Sequence, residues 1–187
     1  MRSFVKFLAL ALAIQLAACA SAPTYRAELL NEDAGAPYTL ASGDRLRVIV
    51  FGQDSLSNSY SVDGSGNIAM PLIGSVRALG QTTQSLERAI EAKLRGGFLR
   101  EPRVAAEVEA YRPFFIIGEV TTAGQYPFVN GMSVQNAIAI AGGFTPRGWN
   151  RGADVTRVVN GQTVTGTVPL SYQLRPGDTV TVRERFL

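Results

Sequence analysis

Short runs of alternating apolar and polar residues, each stopped by a glycine- or proline-bearing turn, fill most of this chain and leave room for two short helices. That pattern limits the fold to a mixture of strands with few helices. Arg45 to Phe51 sets Leu46, Val48 and Val50 on one face and Arg45, Arg47, Ile49 and Phe51 on the other. Short strands follow at Tyr60–Val62, Asn67–Met70 and around Ser75–Arg77, the first two joined by the turn Asp63-Gly64-Ser65-Gly66-Asn67. Thr82 or Thr83 then caps a helix that carries Leu86, Ala89, Ile90 and Leu94 on one stripe and ends at Gly96-Gly97. Arg103 to Tyr111 alternates again, with Val104, Ala106, Val108 and Ala110 expected inward and Glu107 and Glu109 outward.

Arg112-Pro113 marks a boundary, because proline cannot donate to a strand ladder. Beyond it comes a strand from Phe114 to Val120, a hairpin turn at Ala123–Tyr126 into another strand, and a helix capped by Ser133 and closed by Gly142-Gly143. Strands Val155–Val159 and Gln162–Val168 flank Asn160-Gly161, a strong hairpin signal, and a last strand runs from Thr179 to Arg183. Strand, strand, helix, strands is the order of a β-grasp fold. Leu174 to Arg183 also echoes Leu40 to Ile49: leucine, two residues, Gly-Asp, then an alternating strand. The echo reads as one turn used twice. In such a turn glycine admits positive φ and the aspartate carboxylate accepts a nearby backbone N–H.

The N-terminus is an address. Met1 to Lys6 carries two positive charges, and Phe7 to Leu16 is almost wholly apolar, too short to span a bilayer comfortably. Leu16-Ala17-Ala18-Cys19 follows, which resembles a bacterial lipobox and gives Cys19, the only cysteine, a task as the lipidation site. Residues 1–18 are then a lipoprotein signal peptide. Ala18-Cys19-Ala20 and Ala20-Ser21-Ala22 also fit ordinary signal-peptidase cleavage, which would release a soluble periplasmic protein. Ala20 is not the aspartate that retains enteric lipoproteins in the inner membrane, so the expected location is the periplasmic face of the outer membrane. Residues 19–37 read as a flexible tether.

Composition narrows the chemistry. There is no histidine, the commonest general base and metal ligand. A single cysteine permits neither an internal disulfide nor a thiolate zinc cluster. Removing Arg2 and Lys6 with the signal leaves 16 basic against 15 acidic residues, without a basic run, so nucleic acid is not an expected partner. No catalytic residues, metal or cofactor are expected. A glycan-trimming enzyme would need a convergent pair of carboxylates, and no clear pair is present.

In order, these stretches resemble the polysaccharide export (Wza-like) family of outer-membrane lipoproteins. The first half carries the resemblance in Tyr38-x-Leu40-x-x-Gly43-Asp44, Val62-Asp63-x-x-Gly66, Pro71-Leu72-Ile73-Gly74, Gly80-Gln81-Thr82 and Pro102-x-Val104. The second half adds Gly118-Glu119-Val120, Gly124-Gln125-Tyr126, Ala141-Gly142-Gly143-Phe144-Thr145 and Leu174-x-Pro176-Gly177-Asp178. The resemblance implies an α+β chain: a small β-rich export domain with one helix over 38–111, then an SLBB β-grasp domain over 112–187. It also implies a homo-oligomeric ring that passes exopolysaccharide or capsule from an inner-membrane copolymerase. The capsule translocon of that family ends in an amphipathic membrane-crossing helix. Here the sequence stops at Leu187, directly after its last strand. The expectation is a conduit or adaptor without its own pore, docked beneath a separate outer-membrane β-barrel. The alternative is a soluble periplasmic ligand-binding β-grasp protein.

Candidate contacts for interface or sugar are the aromatics Tyr111, Phe114, Phe115 and Trp149, with core or loop packing the alternative for each. Arg147, Trp149 and Arg151 share a glycine-rich loop whose guanidinium and aromatic mixture suits an acidic saccharide.

Overall fold

The computed structural model describes Leu30, residues 36–159 and residues 161–185. Cys19, the signal segment and Asn160 of the hairpin turn lie outside the described residues.

The first unit is built on a three-stranded antiparallel sheet of order β2-β1-β5, where β1 is Arg45–Val50, β2 is Asn58–Ser61 and β5 is Val104–Ala110. A hairpin of β3 (Asn67–Met70) and β4 (Gly74–Arg77) forms a separate two-stranded sheet that packs Ile68, Met70 and Val76 into the same core. The hairpin is entered through the Asp63 turn, whose carboxylate accepts the N–H groups of Ser65 and Asn67 at 2.8 and 2.9 Å. Alternation in β1 buries Leu46, Val48 and Val50 as the sequence predicts. Against them lies helix α1 (Thr83–Arg95), whose Leu86, Ile90 and Leu94 are fully buried. Thr82 is its cap: the hydroxyl oxygen accepts the Ser85 N–H at 3.2 Å, filling one of the donors a helix start leaves without an intrahelical partner.

β5 differs from its sequence reading. Val104 is buried, but Ala106 and Val108 are only half-buried and Ala110 is exposed, because β5 forms the sheet margin and its far end runs past the core. Its margin is nonetheless occupied by α1. Glu91 accepts the Val104 N–H at 3.0 Å and Glu87 accepts the Ala106 N–H at 2.8 Å, so two helix carboxylates stand where another strand would otherwise pair.

The second unit is a five-stranded mixed sheet of order β7-β6-β10-β8-β9 with one helix: β6 Phe114–Gly118, β7 Gly124–Tyr126, α2 Val134–Ile140, β8 Ala153–Val159, β9 Gln162–Val168 and β10 Thr179–Val182. β10 runs parallel to β6 at the centre, and the remaining pairings are antiparallel. This is the β-grasp arrangement expected from the element order. The strand expected after the Ala123–Tyr126 turn is β7, which begins within that turn and pairs with β6 from Gly124 onward. α2 opens on a reciprocal cap in which the Ser133 hydroxyl accepts the Asn136 N–H and the Asn136 side-chain oxygen accepts the Ser133 N–H.

Two separate cores result, one around Leu46 and Ile90, the other around Phe114, Ile116, Val155 and Val180. Leu30 precedes the first unit in sequence and falls in the stretch read as a tether, yet it is buried in the core of the second.

Candidate functional site

Both Gly-Asp turns are built the same way, and both bury their aspartate. In the first, the Ala41 N–H donates to Asp44 Oδ2 at 2.8 Å and the Asp44 N–H returns to the Ala41 carbonyl at 3.1 Å. In the second, the Arg175 N–H donates to Asp178 Oδ2 at 2.8 Å and the Asp178 N–H returns to the Arg175 carbonyl at 3.1 Å. The repeated turn foreseen from the sequence echo is therefore present. What the two carboxylates do with their remaining lone pairs differs.

Asp44 holds the junction between the units. Its Oδ1 accepts the Arg112 backbone N–H at 2.9 Å, and its Oδ2 accepts the Tyr38 hydroxyl at 2.6 Å. Arg112 Nη1 donates to the same Tyr38 oxygen at 2.9 Å and lies 3.8 Å from Asp44 Oδ2. Burial above all, and the bond to Asp44, push the Tyr38 phenol far above its ordinary value, so Tyr38 stays a neutral donor. Tyr111 stands edge-on to Tyr38, with ring centroids 5.0 Å apart, and edge-on to Phe128 of the second unit at 5.6 Å.

Asp178 neutralises a buried arginine. Arg157 Nε and Nη2 donate to its two oxygens at 2.8 and 2.7 Å, a bidentate pair with Arg157 only 8% exposed. Arg157 Nη1 reaches the Leu30 carbonyl and the Tyr172 hydroxyl, each at 3.2 Å, and the Tyr172 hydroxyl itself donates to Leu30 at 2.8 Å. Burial works against the Arg157 charge, but the bonds to Asp178 and Tyr172 outweigh it and hold the guanidinium ionised.

Between the two turns lies a cleft of about 660 Å³, lined by residues of both units. Its polar wall is formed by Tyr38, Arg112, Arg157, Tyr172 and Arg175. Aromatic faces and guanidinium groups can stack on and hydrogen-bond a sugar or a carboxylate. Among the described residues no three His, Cys, Asp or Glu side chains come together as a metal site, and no helix is long and apolar enough to cross a membrane.

The loop singled out from sequence lies elsewhere, beside the C-terminal end of β10. Arg147 is exposed and pairs with Glu184, Nε to Oε1 at 2.7 Å, which raises its pKa. Trp149 is half-buried: its backbone N–H donates to the Arg183 carbonyl at 2.8 Å and its ring lies against Gly152. Arg151 is exposed. Of the candidate aromatics, Phe114 belongs to the core and not to a contact surface: it is fully buried and stacks on Tyr126, because the parity of β6 turns Phe114 inward and Phe115 outward. Phe115 is exposed and Tyr111 half-buried at the junction. Sequence reading missed Arg157, although the parity of β8 puts it on the same face as Val155 and Val159. A charge on an inward position needs a buried partner, and that was the available signal.

Residues 32–109 match the family described as polysaccharide biosynthesis/export protein, and residues 113–168 match the SLBB domain. The chain is 33% identical over 118 residues to the exopolysaccharide production protein ExoF of Rhizobium meliloti, covering 57% of this chain and 28% of ExoF. It is 29% identical over 161 residues to the polysialic acid transport protein KpsD of Escherichia coli, covering 79% of this chain and 28% of KpsD. The aligned region thus spans 28% of each of these curated relatives. Fold and matches together define a two-module α+β protein, an export module followed by an SLBB β-grasp module. The chain belongs to the Wza-like polysaccharide export family.

Proposed function

We propose that this protein is a non-enzymatic component of a machine that exports exopolysaccharide or capsule. In this reading residues 1–18 are a signal peptide, Cys19 carries the lipid that holds the chain to the periplasmic face of the outer membrane, and 19–37 lead to the folded part. The export module over 38–111 and the SLBB module over 112–187 assemble into a homo-oligomeric ring. The ring receives polysaccharide from an inner-membrane copolymerase. It serves as conduit or adaptor beneath a separate outer-membrane β-barrel, without a membrane-spanning pore of its own. The observation that carries this is the presence of an export module and an SLBB module side by side in one chain. The names of the two relatives, exopolysaccharide production and polysialic acid transport, support the substrate class. Arg147, Trp149 and Arg151 are proposed contacts for an acidic saccharide or for a neighbouring subunit.

Deleting the gene is expected to remove surface glycan, and complementation to restore it. Intact glycan in the deletion strain would end the proposal. Radioactive palmitate should label the wild-type protein and not Cys19→Ser. Ion conduction by the purified protein in planar bilayers would refute the poreless adaptor, and unchanged export after triple alanine replacement of Arg147, Trp149 and Arg151 would retire that contact site.

The junction cleft favours a second reading, a soluble periplasmic protein that binds a small saccharide between its modules. It predicts a monomer that binds a soluble oligosaccharide saturably and a deletion strain with normal surface glycan.

A further inference from the structure

The margins of the two main sheets are β2 and β5 in the first and β7 and β9 in the second. Exposed strand margins invite pairing with other chains, and proteins usually blunt them. β5 carries Glu107 and Glu109 and has two N–H groups taken by α1 carboxylates. β2 spans four residues and β7 three. β9 has none of these defences. It is seven residues long, Gln162-Thr163-Val164-Thr165-Gly166-Thr167-Val168, with no charge and no proline.

The register shows which of its backbone groups are unused by β8. Val159 faces Gln162 across two positions of sequence, the spacing at which the closing pair of an antiparallel ladder is hydrogen-bonded, and such pairs alternate along the ladder. Gln162, Val164, Gly166 and Val168 therefore bond to β8, while the N–H and C=O groups of Thr163, Thr165 and Thr167 point away from the sheet. Side-chain spacing agrees, because side chains approach most closely at the non-hydrogen-bonded pairs. Thr156 and Thr165 hydroxyls lie 2.9 Å apart, and the Thr167 hydroxyl donates to Asp154 Oδ1 at 2.7 Å.

We propose that β9 is an association surface for a second copy of this chain, which adds its own β9 antiparallel across a two-fold axis at Thr165. In that register Thr165 faces its counterpart, Thr163 faces Thr167, and Val164 faces Gly166, so the branched side chain meets a residue without one. No charge meets a like charge at any position, which self-pairing of β5 could not achieve with Glu107 and Glu109. The hydroxyl row that already runs Thr179, Thr156, Thr165 across the sheet continues without interruption into the partner, and cross-strand threonine pairs are favourable. Backbone groups alone would give affinity without regard to sequence. The absence of charge and the threonine register are what select a second copy.

A two-fold contact closes at two copies. It is thus separate from any head-to-tail ring contact, and where rings form it joins two of them. The test uses the full chain in mild detergent with sedimentation or mass photometry. Thr165→Lys sets two ammonium groups against each other at the axis, on a half-buried side chain that faces away from the core and gives up only its hydroxyl contact with Thr156. The particle mass is expected to halve, with the circular dichroism spectrum and cooperative unfolding retained. Thr165→Cys in a Cys19→Ser background is expected to form a disulfide-linked dimer on mild oxidation, whereas Ser61→Cys on β2 does not. A wild-type monomer at every concentration, a particle mass unchanged by Thr165→Lys, or an assembled Thr165→Cys protein that fails to cross-link would each overturn the pairing. A ring whose mass ignores Thr165→Lys rejects the pairing and keeps the ring. A plain dimer lost on Thr165→Lys keeps the pairing and rejects the ring.

Discussion

Arg112, in the linker between the two units, lies directly over Gly177 of the second Gly-Asp turn: a Cβ on Gly177 would stand 2.6 Å from Arg112 Nε. The Gly177 N–H also donates to the Pro113 carbonyl at 3.1 Å, so backbone and side chain of the linker are both held against this turn. Asp44 of the other turn grips the same arginine through its N–H. One linker residue is thus clamped from both sides by the same motif.

Gly177→Ala should therefore destabilise through two separable effects. Gly177 has φ +85°, where an L side chain costs about 1–2 kcal/mol, and the methyl also displaces the guanidinium. Arg112→Ala removes the second effect only. Urea unfolding of the four proteins of that cycle should show the double variant less destabilised than the sum of the singles. Strict additivity would mean that the close approach carries no energy.

Asp178→Ala should cost about 3–5 kcal/mol, the range for stranding one partner of a buried ion pair. Arg157 would keep only its bonds to Leu30 and Tyr172. Asp44→Ala strands no fully buried cation, since Arg112 is partly exposed, and should cost less. Chemical denaturation midpoints would rank the two, and equal losses would contradict the different partners of the two turns.

Leu72 is the one non-glycine residue with positive φ among the described residues, at +67°, and its side chain is 62% exposed at the tip of the β3–β4 hairpin. Leu72→Gly gives up little burial and releases left-handed strain, so stability should rise by about 1 kcal/mol. A drop in melting temperature would show that the exposed side chain does more for the fold than its surroundings suggest.

The raised pKa of Tyr38 sets an alkaline limit. In the unfolded chain a tyrosine ionises near pH 10, whereas in the fold burial and Asp44 keep Tyr38 protonated. Its contribution is complete below the unfolded value and declines as pH rises above about 10. Tyr38→Phe should be less stable than wild type at neutral pH, by about 1 kcal/mol for the lost hydrogen bonds. The gap should shrink with rising alkalinity. A gap that stays constant from about pH 8 to about pH 11 would exclude the linkage.

Local pattern made much of the fold legible. The Leu46-Val48-Val50 face, the Leu86-Ile90-Leu94 stripe, the caps at Thr82 and Ser133, and the duplicated Gly-Asp turn all rest on residues near one another in sequence. The junction was not legible, because Arg112 meets Asp44 across 68 positions and Leu30 meets Arg157 across 127, and no periodicity reports such distances. The Glu87 and Glu91 contacts were hidden for a related reason. On a helix surface they look like ordinary solvated carboxylates until the neighbouring strand is placed. The split between Phe114 and Phe115 was decided by parity alone, and a strict count along β6 would have found it.

Leu30 has a mechanical consequence. Leu30, which precedes the first unit in sequence, is fastened to the second through its buried side chain and a carbonyl shared by Arg157 and Tyr172. A pull exerted upstream of Leu30 would load the β-grasp unit before the export unit feels it. A chain begun at Tyr38 would forfeit that fastening and leave the Arg157 guanidinium short of an acceptor.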